Sequence, residues 1–138
     1  MIAPQTTNTT AARKPARWAA DLVSMLREGA RLRLDYSPPS LWALDRLIGE
    51  LRREDPPYEA VAATLRDIGA YTGEVLVRQA DAAWEEPPFG DGPVVRTPDD
   101  RLWDPLGEAR RCFENEGEAS LRLLCRDAMG ARTPGSGG

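Results

Sequence analysis

The sequence predicts a single α+β domain in which three helices precede a small three-stranded antiparallel sheet and two further helices follow, the helices packed on one face of the sheet. Three observations predict it. Apolar residues recur at helical spacing between Trp18 and Val75. The spacing then shortens to alternation around Trp84 and Val94-Val95. Helical spacing returns between Leu106 and Ala128. Segregated runs of this kind belong to an α+β arrangement, and a chain of 138 residues buries one sizeable core.

Residues 1–14 are polar or small, carry no periodicity and are expected to form a disordered arm. The domain is expected over 15–130, with a Gly/Ser/Pro flexible tail over 131–138. The first helix is expected from about Pro15 to Glu28, because Trp18, Leu22, Met25 and Leu26 share one face and Gly29 can stop it. Arg31 to Asp35 reads as a short strand or an extended connector. Ser37-Pro38-Pro39 is a helix start, serine as cap and proline where no hydrogen bond is lost. Leu41, Leu44, Ile48 and Leu51 then line the second helix, with Trp42 and Leu47 widening the stripe. Asp55-Pro56-Pro57 ends it and opens the third, which is expected from Tyr58 to Gln79.

Val61, Leu65, Ile68, Thr72 and Val75 mark the buried side of that third helix. Gly69 and Gly73 lie one turn apart on it, and each costs roughly 1 kcal/mol relative to alanine. A close crossing by another element explains the pair better than a ligand site does. Strands are expected at Ala82–Glu86, Pro93–Arg96 and Arg101–Trp103, with Thr97-Pro98-Asp99-Asp100 as the turn of the last hairpin. Asp104-Pro105 repeats the cap-then-proline device and opens the fourth helix; the fifth runs from about Glu118 to Met129.

The composition excludes more than it assigns. There is no histidine, which removes histidine general bases, Ser–His and Cys–His pairs and most zinc sites. Neither a Gly-rich phosphate loop nor EF-hand spacing is present, so no cofactor is expected. Cys112 and Cys125 read as buried free thiols. A net charge of −4 argues against nucleic acid as a partner. No apolar run approaches the roughly 20 residues of a membrane span. Met1–Thr10 lacks the apolar centre of a signal peptide, so the expected compartment is the cytoplasm.

Leu34-Asp35-Tyr36-Ser37-Pro38 with Leu41 and Leu44-Asp45 forms one recognisable stretch. Gly69-Ala70-Tyr71-Thr72-Gly73-Glu74-Val75 with Val77-Arg78 and Trp84 forms another. On these residues the chain resembles a family of small actinobacterial proteins of unknown function, over roughly Trp18 to Ala128. Such proteins often carry Gly-Gly before the strand tryptophan, where this chain has Ala82-Ala83. The resemblance implies a cytosolic α+β domain and brings no catalytic residue.

The candidate binding residues are Asp35, Tyr36, Glu74, Arg78, Trp84 and Trp103. Glu74 and Arg78 stand at i, i+4 in the favourable order for an ion pair. The plain reading is a solvated pair; the functional one joins them to Trp84 as a recognition anchor. Trp18 and Trp42 read as core, and so do Trp84 and Trp103 unless one sheet face is bare. Arg110, Arg111, Arg122 and Arg126 read as a solvated face.

The leading expectation is a non-catalytic protein-interaction module, immunity-like or accessory to a partner, with a protein partner or self-association. The alternative is a small-molecule or peptide sensor with a pocket under the 86–92 connector. A third is a hydrolase using carboxylates drawn from Asp35, Asp45 and Glu74.

Overall fold

The computed structural model describes residues 3–87, 92–115 and 117–131. The centre of the expected connector, 88–91, and the tail from 132 onward lie outside them. Five helices and a three-stranded sheet follow in the expected order: α1 Ala3–Gly29, α2 Leu41–Glu54, α3 Tyr58–Ala80, β1 Ala83–Glu85, β2 Val94–Arg96, β3 Leu102–Trp103, α4 Pro105–Glu114 and α5 Leu121–Ala131.

The first helix reaches further toward the N-terminus than the sequence reading, which has an arm up to Lys14. Its buried stripe continues one turn past the expected start, to Ala11. Ala11, Pro15, Ala19, Leu22 and Leu26 recur every three or four residues and are all buried. Three of these five are Ala or Pro, which a search for large apolar residues passes over. Pro15 lies inside the helix and forfeits one backbone hydrogen bond. Met25, expected on the buried face, is 48% exposed because Leu22 and Leu26 occupy the contact.

Arg31–Asp35 is a connector without strand pairing. Pro38–Ser40 forms a single 3₁₀ turn that leads into α2. Ser37 does not cap it: the hydroxyl donates to Asp35 Oδ1 at 2.6 Å instead. Leu41, Leu44 and Ile48 are buried as their spacing requires. Trp42, expected in the core, is 59% exposed. It lies beside the stripe, off the contact, and the Arg122 guanidinium stacks 3.9 Å from its ring centroid.

α3 is the axis of the molecule. Every residue from Ile68 to Leu76 is buried, because α1, α4, α5 and the sheet all pack around it. The two glycines make that possible. A methyl group at Gly69 would sit 2.5 Å from the Leu106 Cα, so the first turn of α4 crosses directly on the helix backbone. A methyl at Gly73 would collide with the six-membered ring of Trp84. The close-crossing explanation of the pair holds at both positions.

The sheet is an antiparallel meander in the order β1-β2-β3. Trp84 pairs with Val95 and Val95 with Trp103, so these three side chains form one row on the same face. Trp84 and Val95 are fully buried and Trp103 is half-buried at the sheet edge. The opposite face carries Arg96, which pairs with Glu85 on the neighbouring strand and with Asp100 at 2.7 Å. Asp100 takes a positive φ in the expected turn, and its N–H donates to Thr97 O at 2.8 Å.

Both C-terminal helices begin on a carboxylate. Asp104 accepts from Gly107 N at 3.0 Å and Pro105 follows it, as the sequence motif requires. The start of α5 is served from a distance: Asp45 of α2 accepts from Leu121 N at 2.9 Å, Arg122 N at 3.2 Å and the Ser120 hydroxyl at 2.9 Å. This ties α2 to α5 across the chain and favours the negative charge at the positive end of a helix. No helix among the described residues is long and apolar enough to cross a membrane.

Candidate functional site

Four of the six candidate residues form one connected chain of contacts, running from the core to the surface. At its inner end the Trp84 indole N–H donates to Glu74 Oε2 at 2.8 Å, and both residues are buried. The second Glu74 oxygen lies 3.9 Å from the Arg78 guanidinium one helical turn on. Arg78 in turn stacks 3.5 Å from the centroid of the Tyr36 ring. Asp35 flanks this chain, with its carboxylate turned onto Ser37. Trp103 is not part of it: its indole donates to Thr97 Oγ1 at 3.0 Å, and Arg101 stacks on its ring.

Tyr71 is the member that the sequence reading did not select. It is fully buried, stacks on Tyr36 at 4.8 Å, and its hydroxyl accepts from Tyr36 N at 2.7 Å while also bonding Ser40 Oγ. The layers Arg78, Tyr36 and Tyr71 therefore lie in sequence. Tyr36 is held in the left-handed region at φ 62, a conformation that a bulky residue adopts only where its surroundings impose it. Gln79 adds a bond to Tyr36 O at 3.3 Å. Burial raises both tyrosine hydroxyls above their ordinary value; Arg78 opposes this at Tyr36, and the Ser40 hydroxyl opposes it at Tyr71. The Ser37 hydroxyl holds the Asp35 carboxyl below its usual range.

The chemistry of this chain is mostly structural. Glu74 and Trp84 satisfy each other in the core. Only the outer layer, Asp35, Tyr36 and the half-exposed Arg78, faces a potential partner. The carboxylates named for hydrolysis are engaged separately: Asp45 on the α5 N-terminus, Glu74 on the indole, Asp35 on Ser37. Among the described residues no group of three or more His, Cys, Asp or Glu is placed to hold a metal ion. Burial pushes the Cys112 thiol up to about 12, with Asp45 and Glu108 adding to it, and burial alone takes Cys125 to about 11.

A concavity lies elsewhere. An open groove of about 580 Å3 runs between α3 and α4 and is bordered by Pro87 and Gly92, the two described ends of the 86–92 connector. The half-buried Leu106 contributes apolar surface over the fully buried Leu65, and Tyr58, Arg66 and Arg110 stand around it. The sequence reading assigned Arg110 to a solvated face and did not place Arg66 at all. Its walls come from residues of α3 and α4 that lie far apart in the sequence, so residue spacing alone does not give it. Each arginine here is braced: Arg66 against Asp67 at 2.9 Å and the Trp18 ring, Arg110 against Glu114 at 3.5 Å and the Tyr58 ring.

No curated protein and no solved structure matches the chain. The family model described as a family of unknown function, DUF6278, matches residues 5–125, which contain both the Tyr36–Arg78 stack and the groove; the chain belongs to that family.

Proposed function

We propose that this protein is a non-catalytic protein-interaction module, accessory or immunity-like, that receives a segment of its partner in the groove between α3 and α4. The observation that carries the reading is the groove itself: open, about 580 Å3, with Leu106, braced arginines and a tyrosine along it. Tyrosine and arginine are the residues that most often dominate protein–protein contacts, and side chains already braced lose less freedom on binding. The engagement of Glu74 and Asp45 in structural bonds supports a binding role over carboxylate chemistry. Two thiols held well above neutrality offer little thiolate as nucleophile. A cytoplasmic location is part of the proposal, supported by two cysteines that remain free thiols.

Affinity purification from the native host tests the reading, with wild-type protein and a Tyr58→Ala/Arg110→Glu variant as parallel baits. One stoichiometric protein bound by the wild type and lost by a folded variant is the expected result. Equal recovery on both baits would remove the groove from the account.

A second reading has one specific observation behind it. Pro87 and Gly92 border the groove, so a sensor for a small molecule or peptide would have its ligand beside the 86–92 connector. A thermal-shift screen separates the two, since a small ligand raises the melting temperature with no protein present.

A further inference from the structure

Charge is divided unevenly along the chain. Residues 1–33 hold six cations, Arg13, Lys14, Arg17, Arg27, Arg31 and Arg33, against two carboxylates, Asp21 and Glu28. Residues 34–138 hold twelve cations against twenty carboxylates. The net charge of −4 conceals this positive end on a negative body. Part of the positive end forms a row. Arg13, Arg17, Ala20, Ser24 and Arg27 follow at spacings of four and three residues, so they share one face of α1. All five are exposed, while Leu22 and Leu26 turn the opposite face into the core. Arg13 and Arg27 stand about 21 Å apart along the helix axis. Arg31 and Arg33 are exposed in the connector that follows. Asp21 and Glu28 lie on the shoulder of the row, beside the exposed Met25.

The ion pairs among the described residues engage Arg66, Arg78, Arg96, Arg110, Arg111 and Arg126, and none of these six cations. From the neighbouring helix Arg66 approaches α1 to stack on Trp18, and its own partner Asp67 neutralises it. The row therefore keeps its excess. Arg27 is favoured by the negative end of the helix dipole, an effect confined to the last turn. Arg13 and Arg17 lie too far from that end to gain from it. A guanidinium presents a planar fork of donors suited to carboxylates, and exposed ones reach a partner without first breaking a bond.

We propose that the exposed face of α1 docks an acidic helix of a partner protein, its carboxylates on Arg13 and Arg17 at one end and on Arg27 at the other. Between the charged ends Ala20 and Ser24 keep the face low, and Met25 supplies apolar contact. This surface differs from the groove and does not rest on it. Charge selects among the occupants. A second copy of α1 would set arginine against arginine in either direction. A bilayer takes up the apolar face of a helix, and that face of α1 is buried in the core. A nucleic acid would meet no aromatic side chain along the row, and the negative body repels a long polyanion. A short acidic helix meets only the row, since the charges beyond it are screened within about 8 Å at physiological salt.

Fluorescence anisotropy with the full chain tests this. The probe is a labelled alanine-based helical peptide of about five turns, with glutamates near both ends and alanine and leucine between them. A second peptide replaces every glutamate by glutamine. The glutamate peptide is expected to bind about tenfold tighter than the glutamine peptide. An Arg13→Glu/Arg17→Glu/Arg27→Glu variant, checked for folding by circular dichroism, is expected to lose that preference. Arg17→Gln/Arg27→Gln serves the same comparison should the triple variant fail to fold. Arg46→Glu/Arg52→Glu/Arg53→Glu makes the same change of net charge at exposed positions of α2 and is expected to keep the preference. Equal binding of the two peptides, or equal loss in both triple variants, overturns the proposal. Tighter binding of duplex DNA or of phosphatidylserine vesicles, dependent on the α1 arginines, overturns it in favour of a phosphate-bearing occupant. Tyr58→Ala/Arg110→Glu is expected to bind the glutamate peptide as the wild type does; loss there would move the peptide to the groove and overturn the assignment to α1.

Discussion

The Trp84 indole donates its N–H to the Glu74 carboxylate at 2.8 Å inside the core, so a charged side chain and the largest buried ring hold each other in place. The pair locks β1 onto α3. Removing the acceptor leaves a buried donor unsatisfied, which costs about 1–3 kcal/mol. Glu74→Leu is accordingly expected to lose about that much in urea unfolding. Glu74→Gln keeps an acceptor oxygen and is expected to lose clearly less.

Glycine substitutions on two helices should have opposite signs. Gly69→Ala drives a methyl into the α4 backbone and Gly73→Ala drives one into the Trp84 ring. Each is expected to cost about 1–3 kcal/mol through overpacking, with Gly69 worse because backbone cannot swing aside. Gly49, in α2, has nothing within 4 Å of an added methyl. Gly49→Ala is expected to stabilise by up to about 1 kcal/mol. Thermal unfolding of the three variants checks the set.

Burial raises the Asp67 carboxyl above its ordinary value of 3.8, and the Arg66 hydrogen bond opposes it. The native state therefore holds this proton more readily than the unfolded chain. The stability from this group is fully present below the unfolded value and is lost as pH rises through the higher native one. Asp67→Asn removes that loss. Its stability relative to wild type is expected to be more favourable at neutral pH than in acid below 3.8, as measured by unfolding midpoints across pH.

The thiols at about 12 and 11 should react slowly with a disulfide reagent in the native state at mildly alkaline pH. Unfolding in denaturant should restore ordinary reactivity at both. Fast native labelling at Cys125, the more buried thiol, would mean that α5 opens readily.

Much of the fold was legible because its devices are local. Asp104-Pro105, the Thr97–Asp100 turn and the stripe from Val61 to Val75 each act within a few residues, and each forms as its spacing indicates. The turn of α1 before Pro15 was not legible, because Ala11 and Pro15 bury a face too small to register as apolar. Trp42 misled for the converse reason: a large ring next to a stripe was counted into it, yet it sits on the solvent side under Arg122. At the site, Glu74 and Arg78 declared themselves by i, i+4 spacing. Tyr71 and the groove did not, since a stack across 35 residues and a concavity between two helices depend on how the helices cross.

The most direct measurement of the central claim is site-specific photo-cross-linking in the native host. A photoreactive side chain is placed at Ala62, which lines the groove, and separately at Arg53, exposed at the far end of α2. The account predicts a single protein adduct from Ala62, absent from Arg53 and suppressed by Arg66→Glu/Arg110→Glu. Adducts from Arg53 alone, or none from Ala62 in a folded protein, would contradict it.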